Sequence, residues 1–257
     1  MTTPGLPHAS EAAEPPGEIA VSDAIVDAAL DPGEPPKRDL RLAIVVTSGL
    51  FFAAYSHLYD RWQLPPRFVG SVGLILGGDV LPLLVGPLLV IWLLLREPPG
   101  RYGWRLRPLS GGLRNALLAY LSLLPLVVWL STRPEFQSFY PSPQFAPARE
   151  SAIGLAVLWT LHHGPQLFST EFLFRGFLLL PLARRFGLWP GIAAMLVLYV
   201  ILHLAKPPLE LLLATLGGVS FSLAAWRSQS FLPAFVAHWL VAVTMDLLCF
   251  LQTRPGP

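Results

Sequence analysis

Apolar residues in this chain come in long runs, and those runs predict membrane-spanning helices. From Leu40 onward the runs are about 18 to 25 residues long, the length that a helix needs to cross a hydrocarbon layer of ~30 Å. The glycine-rich stretch 68–76 leaves room for an eighth span or a re-entrant piece. The pattern therefore predicts an all-α fold, a polytopic transmembrane helical bundle. Its seven predicted spans are 40–58, 78–95, 113–131, 153–181, 189–205, 209–226 and 231–251.

The composition agrees with a membrane protein and excludes two other classes. Apolar residues make up 53% of the chain and charged residues only 13%, against roughly a quarter charged in a soluble domain. This bias excludes a soluble globular enzyme. Cys249 is the only cysteine, which excludes a disulfide-stapled secreted domain. The sequence has no phosphate-cradling glycine loop or nucleotide fingerprint, so we expect a lipid bilayer as a partner and no nucleic acid.

Charge is distributed unevenly and predicts the orientation of the bundle. Residues 1–38 are rich in acidic residues and proline and contain no long apolar run, so they are predicted to be a disordered tail. With this tail in the cytoplasm, 11 of the 18 Lys and Arg residues fall on the inner side and six on the outer side. Short inner loops are enriched in Lys and Arg. We therefore expect a cytoplasmic N-terminus.

Ionisable side chains inside the predicted spans are the informative positions, because a central charge costs at least ~2.5–3.5 kcal/mol there and is commonly functional. Glu171 and Arg175 lie four residues apart, so a helix brings them to one face as a charge-assisted pair. His203 and His238 lie in two later spans. One carboxylate and two imidazoles from three helices can activate water or bind a metal. The alternative is a buried salt bridge with two core histidines.

These residues lie in three short motifs on three separate predicted helices. The motifs are Thr170-Glu171-x-x-x-Arg175, Tyr199-x-x-x-His203 and His238-x-x-x-Ala242. In this order they resemble the Glu-Glu-x-x-x-Arg, Phe-x-x-x-His and His-x-x-x-Asn-like motifs of the CAAX-protease and bacteriocin-processing family of intramembrane peptidases. The resemblance divides the chain into the acidic tail (1–38), N-terminal transmembrane helices (39–149) and a peptidase-like core (150–251).

The resemblance implies an intramembrane endopeptidase, a hydrolase that cleaves peptide bonds in membrane-embedded or lipid-anchored protein segments. It implies Glu171 as the general base, Arg175 as its partner, and His203 and His238 as metal ligands or groups that polarise the scissile carbonyl. Glu171, His203 and His238 are the candidate ligands of a divalent metal such as zinc, although the signature His-Glu-x-x-His is absent. The expected setting is the bacterial inner (plasma) membrane, and the expected partner is a membrane-anchored protein or peptide substrate.

Two positions depart from the family motifs. Thr170 stands where the family has its first glutamate, and Ala242 stands at the asparagine-like position. Either Glu171 acts alone as the base, or another group such as Glu210 supplies it, or the protein has lost turnover. In that last case it is a non-catalytic membrane scaffold or an immunity-type protein of the same fold. A small transporter ranks below both functions, because no internal repeat is visible.

Further polar residues have open roles. Lys206 is spaced for a helical pair with Glu210, but Pro207-Pro208 between them argue against it. Asp246 either lines the same cavity or makes an interhelical hydrogen bond. His162 and His163 precede a predicted kink at Gly164-Pro165, and they either reach the site or are solvated near the outer surface.

Overall fold

The structure, a computed structural model, describes residues 35–61, 75–105, 109–141, 146–203 and 206–253. The predicted acidic tail up to residue 34 and the stretch 68–74 lie outside the described residues. Within them the chain forms nine helices and no strand, which confirms the all-α prediction. The helices are α1 (Pro35–Arg61), α2 (75–95), α3 (Leu109–Ser131), α4 (Pro134–Phe139), α5 (Ala146–Glu150), α6 (152–186), α7 (Leu188–Ile201), α8 (Pro208–Ser228) and α9 (Leu232–Thr253).

Five of the described helices, α1, α2, α3, α8 and α9, are long and apolar enough to cross a membrane. They coincide with five of the predicted spans. The other two predicted spans fall on α6 and on α7, whose apolar part Leu188–Val200 is shorter than the rest. α7 ends at Ile201 and not at 205 as predicted. The prolines at 207 and 208 lack the N–H groups that would continue the helix, so the chain turns before them.

α6 is the longest helix, and it alternates between α-helical and π-helical turns. It begins after Ser151, whose Oγ accepts a hydrogen bond from the Gly154 N–H (2.9 Å) and caps the first turn. The π-helical segment Leu158–His163 precedes the Gly164-Pro165 step, and its wider turn accommodates a proline that has no N–H. A second π-helical segment, Phe172–Leu179, is buried at all of its 8 residues. This segment of α6 is therefore enclosed by protein.

The helices that enclose α6 are α1, α2, α7, α8 and α9. In lipid the hydrophobic effect gives helices little reason to associate, so close van der Waals packing holds them together. Gly176 shows how close this packing is, because a Cβ at this position would lie 2.5 Å from the carbonyl oxygen of Tyr102. Any larger residue at 176 would displace the 96–105 loop, which joins α2 to α3.

Glu97 anchors the 96–105 loop through three hydrogen bonds. Its carboxylate accepts from Arg41 of α1 (3.1 Å), from Arg101 (3.0 Å) and from the hydroxyl of Tyr102 (2.7 Å). Burial, reinforced by the neighbouring Glu97, raises the pKa of Tyr102 well above its ordinary value. The phenol therefore remains a hydrogen-bond donor at physiological pH.

Arg184, near the end of α6, ties the same loop to the turn between α8 and α9. It donates to the carbonyl oxygen of Arg101 (2.5 Å) and to the side chain of Gln229 (2.7 Å). Burial lowers the pKa of Arg184 to about 10, so the guanidinium is still charged at neutral pH. One arginine thus fixes three separate parts of the chain at this end of the bundle.

Candidate functional site

Glu171 and Arg175 form the predicted pair on α6, and both side chains are 0% exposed. Nη1 of Arg175 donates to Oε1 of Glu171 over 3.1 Å, and Nε lies 3.1 Å from Oε2. The guanidinium also stacks on the ring of Tyr199, 4.2 Å from its centroid. Removing either member of such a pair leaves an uncompensated buried charge. The prediction of a charge-assisted pair is confirmed.

His238 of α9 binds the carboxylate of this pair. Its Nδ1 lies 2.7 Å from Oε1 of Glu171, and its ring stacks on Phe221 with 5.0 Å between the ring centroids. An ionised carboxylate can only accept, so the hydrogen bond assigns the proton to Nδ1 and leaves the lone pair on Nε2. The structure therefore brings Glu171, Arg175 and His238 together in one chain of contacts.

His203 lies in the turn after α7 and is held by its own backbone. Its Nδ1 lies 2.8 Å from the carbonyl oxygen of Tyr199, so Nδ1 is the donor and Nε2 again carries the lone pair. The two rings lie 4.6 Å apart between centroids. The four-residue spacing of Tyr199 and His203 thus lets the carbonyl oxygen and the ring of Tyr199 hold the imidazole in place.

Both histidines line one cavity of about 100 Å³ between the helices. This volume holds several water molecules, since one water needs about 10–15 Å³ on this measure. Glu171 does not line the cavity, because His238 lies between its carboxylate and the open space. The polar side chains that line the cavity are Tyr140, His163, Gln166, Tyr199, His203, Lys206, Glu210 and His238.

The two motif departures have visible consequences. The hydroxyl of Thr170 donates to the backbone carbonyl of Gln166 (2.9 Å), and Thr170 does not line the cavity. Ala242 does line it, so a methyl group occupies the wall where the family has an asparagine-like side chain. The site thus lacks the family's first carboxylate and one hydrogen-bond donor.

Lys206 and Glu210 form an ion pair, with 2.6 Å between Nζ and Oε1. The pair does not lie within one helix, as the two prolines predicted, because Lys206 precedes α8, which begins at Pro208. Glu210 also accepts a hydrogen bond from the hydroxyl of Tyr140 (2.7 Å). Burial, reinforced by Glu210, raises the pKa of Tyr140 well above its ordinary value. No motif pointed to Tyr140, which is 70 residues away in the chain.

His163 and Asp246 form a further buried pair at the cavity. Nε2 of His163 lies 2.9 Å from Oδ2 of Asp246, and the indole N–H of Trp159 donates to the same oxygen over 3.2 Å. Asp246 is 0% exposed, whereas His163 lines the cavity. Of the two open alternatives for His163, the structure supports the one in which it reaches the site. Asp246 makes an interhelical hydrogen bond behind the cavity wall.

The described residues contain no group of three or more His, Cys, Asp or Glu side chains placed to hold a metal ion. The candidate ligands were Glu171, His203 and His238. Oε1 of Glu171 is bonded to both Arg175 and His238, and Glu171 does not line the cavity. The donor set in this arrangement does not fit a metal.

Comparison with known proteins supports the resemblance. No curated protein and no solved structure matches the chain. Residues 153–244, which run from α6 into α9, match the family described as type II CAAX prenyl endopeptidase Rce1-like. All three motifs lie within these residues, whereas Tyr140 and Asp246 lie outside them. The predicted resemblance to the CAAX-protease and bacteriocin-processing family is therefore confirmed over residues 153–244.

Proposed function

We propose that the protein is an intramembrane endopeptidase that cleaves membrane-embedded or lipid-anchored protein segments. One observation carries the proposal: His203 and His238 line the same cavity within a membrane bundle, and each engages its Nδ1 in a hydrogen bond that leaves Nε2 without a partner among the described residues. The family name adds the substrate class, because a type II CAAX prenyl endopeptidase acts on prenylated CAAX proteins. A prenylated CAAX peptide is therefore the first substrate to test.

In this mechanism His238 takes the proton from water and Glu171 acts through it. A water molecule that donates one hydrogen to each Nε2 is fixed between His203 and His238. As the proton moves to His238, the buried carboxylate of Glu171 stabilises the imidazolium, and Arg175 holds that carboxylate in place. The hydroxide then adds to the carbonyl carbon of the substrate, and the carbon–nitrogen bond breaks as the leaving nitrogen takes the proton from His238. This role for Glu171 differs from the direct base that the motif alone implies.

The negative charge that develops on the carbonyl oxygen needs hydrogen-bond donors. Ala242 supplies none, but the side-chain amide of Gln166 and the ammonium of Lys206 both line the cavity. We assign the oxyanion to these two groups. Lys206 keeps its orientation through Glu210, which Tyr140 holds in turn.

The test is cleavage of a prenylated CAAX peptide in lipid vesicles that contain the purified protein. Glu171→Gln and His238→Gln are expected to lower kcat by about 10²–10⁴-fold, because each removes the proton-transfer pair. His57→Gln, at a half-buried histidine of α1 that does not line the cavity, is the matched control. Equal rates for wild type and His238→Gln would overturn the mechanism.

A second function is favoured by specific observations. Thr170 and Ala242 remove two groups that the family motifs contain, and Thr170 turns its hydroxyl to the backbone. A non-catalytic membrane scaffold or immunity-type protein would keep the buried pairs for helix packing. This function predicts no cleavage of any membrane-anchored peptide by protein that is folded and inserted.

A further inference from the structure

The two ends of the helical bundle differ in charge. Hydrogen bonds join the start of α1, the 96–105 loop, the end of α6 and the turn between α8 and α9 at one end, and Asn115 near the start of α3 donates to Ser228 of α8 (2.8 Å). Of the side chains that the structure describes, two acids, Asp39 and Glu97, lie at this arginine-rich end together with nine arginines: Arg38, Arg41, Arg96, Arg101, Arg105, Arg114, Arg184, Arg185 and Arg227. The described side chains of the opposite end are balanced, with three basic and three acidic groups: Arg133, Arg149, Lys206, Glu135, Glu150 and Glu210.

The arginine-rich end is closed by the 96–105 loop and by a cluster of aromatic rings. The backbone N–H of Phe231 donates to the carbonyl oxygen of Gly103 (3.4 Å), and the hydroxyl of Ser230 donates to that of Arg105 (2.8 Å). The loop is thus bonded to the turn between α8 and α9. Beneath it four rings pack with centroids 5.1 to 5.8 Å apart, those of Trp104, Phe168, Phe172 and Phe231. None of the described residues of this loop and turn lines the cavity.

The cavity instead extends to the opposite end. Tyr140, after α4, and Lys206, in the turn before α8, both line it, and the side chain of Lys206 is 36% exposed. Along α8 the lining residues run from Glu210 to Phe221, and eleven residues of helix span about 16 Å. His238 stacks on Phe221 and therefore lies in the deep part of the cavity. The cavity is a pocket that enters the bundle from the end opposite the arginines.

Short cytoplasmic loops are enriched in Lys and Arg, so the arginine-rich end is predicted to face the cytoplasm. Given the proposed function, on which this inference rests, we propose that the substrate is a membrane-anchored segment presented on the non-cytoplasmic side. Its scissile bond enters past Tyr140 and Lys206 and reaches His238 in the outer half of the bilayer. A segment whose polar flank lies only in the cytoplasm meets the closed end and is not cleaved.

Cleavage in sealed membrane vesicles of known orientation tests this substrate class. The probe is a prenylated CAAX peptide whose amino-terminal end carries a sulfonated fluorophore, added to right-side-out or to inverted vesicles that contain the protein. Cleavage is expected to be at least about tenfold faster in right-side-out vesicles, because the charged fluorophore does not cross the hydrocarbon layer. Permeabilised inverted vesicles should match them, and His238→Gln vesicles give the background. Equal rates in the two sealed preparations, or faster cleavage in inverted vesicles, would overturn the proposal.

A second measurement does not depend on catalysis. Leu213→Cys and Ala214→Cys place a thiol in the cavity wall, whereas Ala225→Cys places one on the same helix at a buried position that does not line the cavity. A small, charged, membrane-impermeant thiosulfonate should label positions 213 and 214 in right-side-out vesicles and position 225 in neither preparation. Labelling of 213 and 214 only in inverted vesicles would overturn the proposal.

The two measurements separate this inference from the proposed function. Wild-type protein that cleaves no probe, even in permeabilised vesicles, would remove the proposed function. Labelling of positions 213 and 214 from the outside would even then support the outward opening of the cavity.

Discussion

His238 donates from Nδ1 to Oε1 of Glu171 over 2.7 Å, and this contact shields the carboxylate from the cavity. The motif alone makes Glu171 the group that meets water. In the structure the imidazole meets the cavity, and the acid determines which of its nitrogens is free. The carboxylate of Glu171 is placed as in the carboxylate–histidine pair of serine hydrolases, where the acid orients the base and stabilises its charged form.

Replacing one member of the buried Glu171–Arg175 pair is expected to lower the stability of the protein more than replacing both members. Arg175→Lys loses the planar contact with Tyr199 and one hydrogen-bonding arm, and Arg175→Met is expected to cost about 3–5 kcal/mol because it strands the carboxylate. The double variant Glu171→Gln/Arg175→Met is expected to recover most of that stability. Thermal unfolding in detergent micelles measures this. Arg185→Lys, in an exposed pair with Asp39, is the control and should cost about 0–1 kcal/mol.

Ala242→Asn restores a hydrogen-bond donor to the cavity wall. If the protein is an endopeptidase that lacks one oxyanion donor, kcat is expected to rise, by up to about 10²-fold. Ala242→Leu adds bulk without a donor and should lower kcat. Cleavage of the prenylated peptide measures both variants, and a fall in kcat for the asparagine variant would argue against an oxyanion near residue 242.

Removal of metal ions is expected to leave cleavage unchanged, because the described residues offer no three-ligand site. The measurement compares rates before and after dialysis against a chelator, with added zinc as the reverse step. Loss of activity on dialysis and its return with zinc would instead indicate that His203 and His238 are metal ligands.

Alkaline pH is expected to destabilise the fold through Tyr102 and Tyr140. Both phenols have a folded-state pKa above their ordinary value of 10.0, because they are buried beside Glu97 and Glu210. Below pH 10 their contribution to stability is complete; above it the unfolded chain releases protons that the folded protein retains. Tm should therefore fall as pH rises above 10. The double variant Tyr102→Phe/Tyr140→Phe should fall less steeply, whereas Tyr55→Phe, at an exposed position, should follow wild type.

The cytoplasmic N-terminus can be tested without removing a native cysteine, because Cys249 is buried. Arg227→Cys lies at the end of α8 on the predicted inner side, and Glu135→Cys lies in α4 on the predicted outer side; both native residues are exposed. A membrane-impermeant maleimide should label position 135 from outside the cell and position 227 only in inverted vesicles. The opposite pattern would reverse the orientation.

Much of the fold follows from the sequence because each helix is encoded locally. The apolar runs locate the long helices, and the four-residue spacing of Glu171 and Arg175 already fixes their contact. Helix ends are less well encoded, which is why α7 ends at Ile201, before its predicted boundary.

The site is less predictable because it depends on which helices are neighbours. His163 and Asp246 are 83 residues apart, and no periodicity within either helix says that they meet. The same holds for Tyr140 and Glu210. His203 and His238 lie in two different predicted spans, and only the packing of those spans shows that both line one cavity.

The enclosed segment Phe172–Leu179 has a consequence for anyone who would excise the family-matched region. Helices α1 and α2 pack against this segment, and the carbonyl oxygen of Tyr102 in the 96–105 loop lies close to Gly176. Both helices and the loop precede residue 153. A fragment cut to the matched residues would lose the ring of Tyr102, which packs on Phe177, and would expose the buried side chains of this segment to acyl chains. The matched residues are thus not an independent folding unit, because the first half of the chain buries part of their surface.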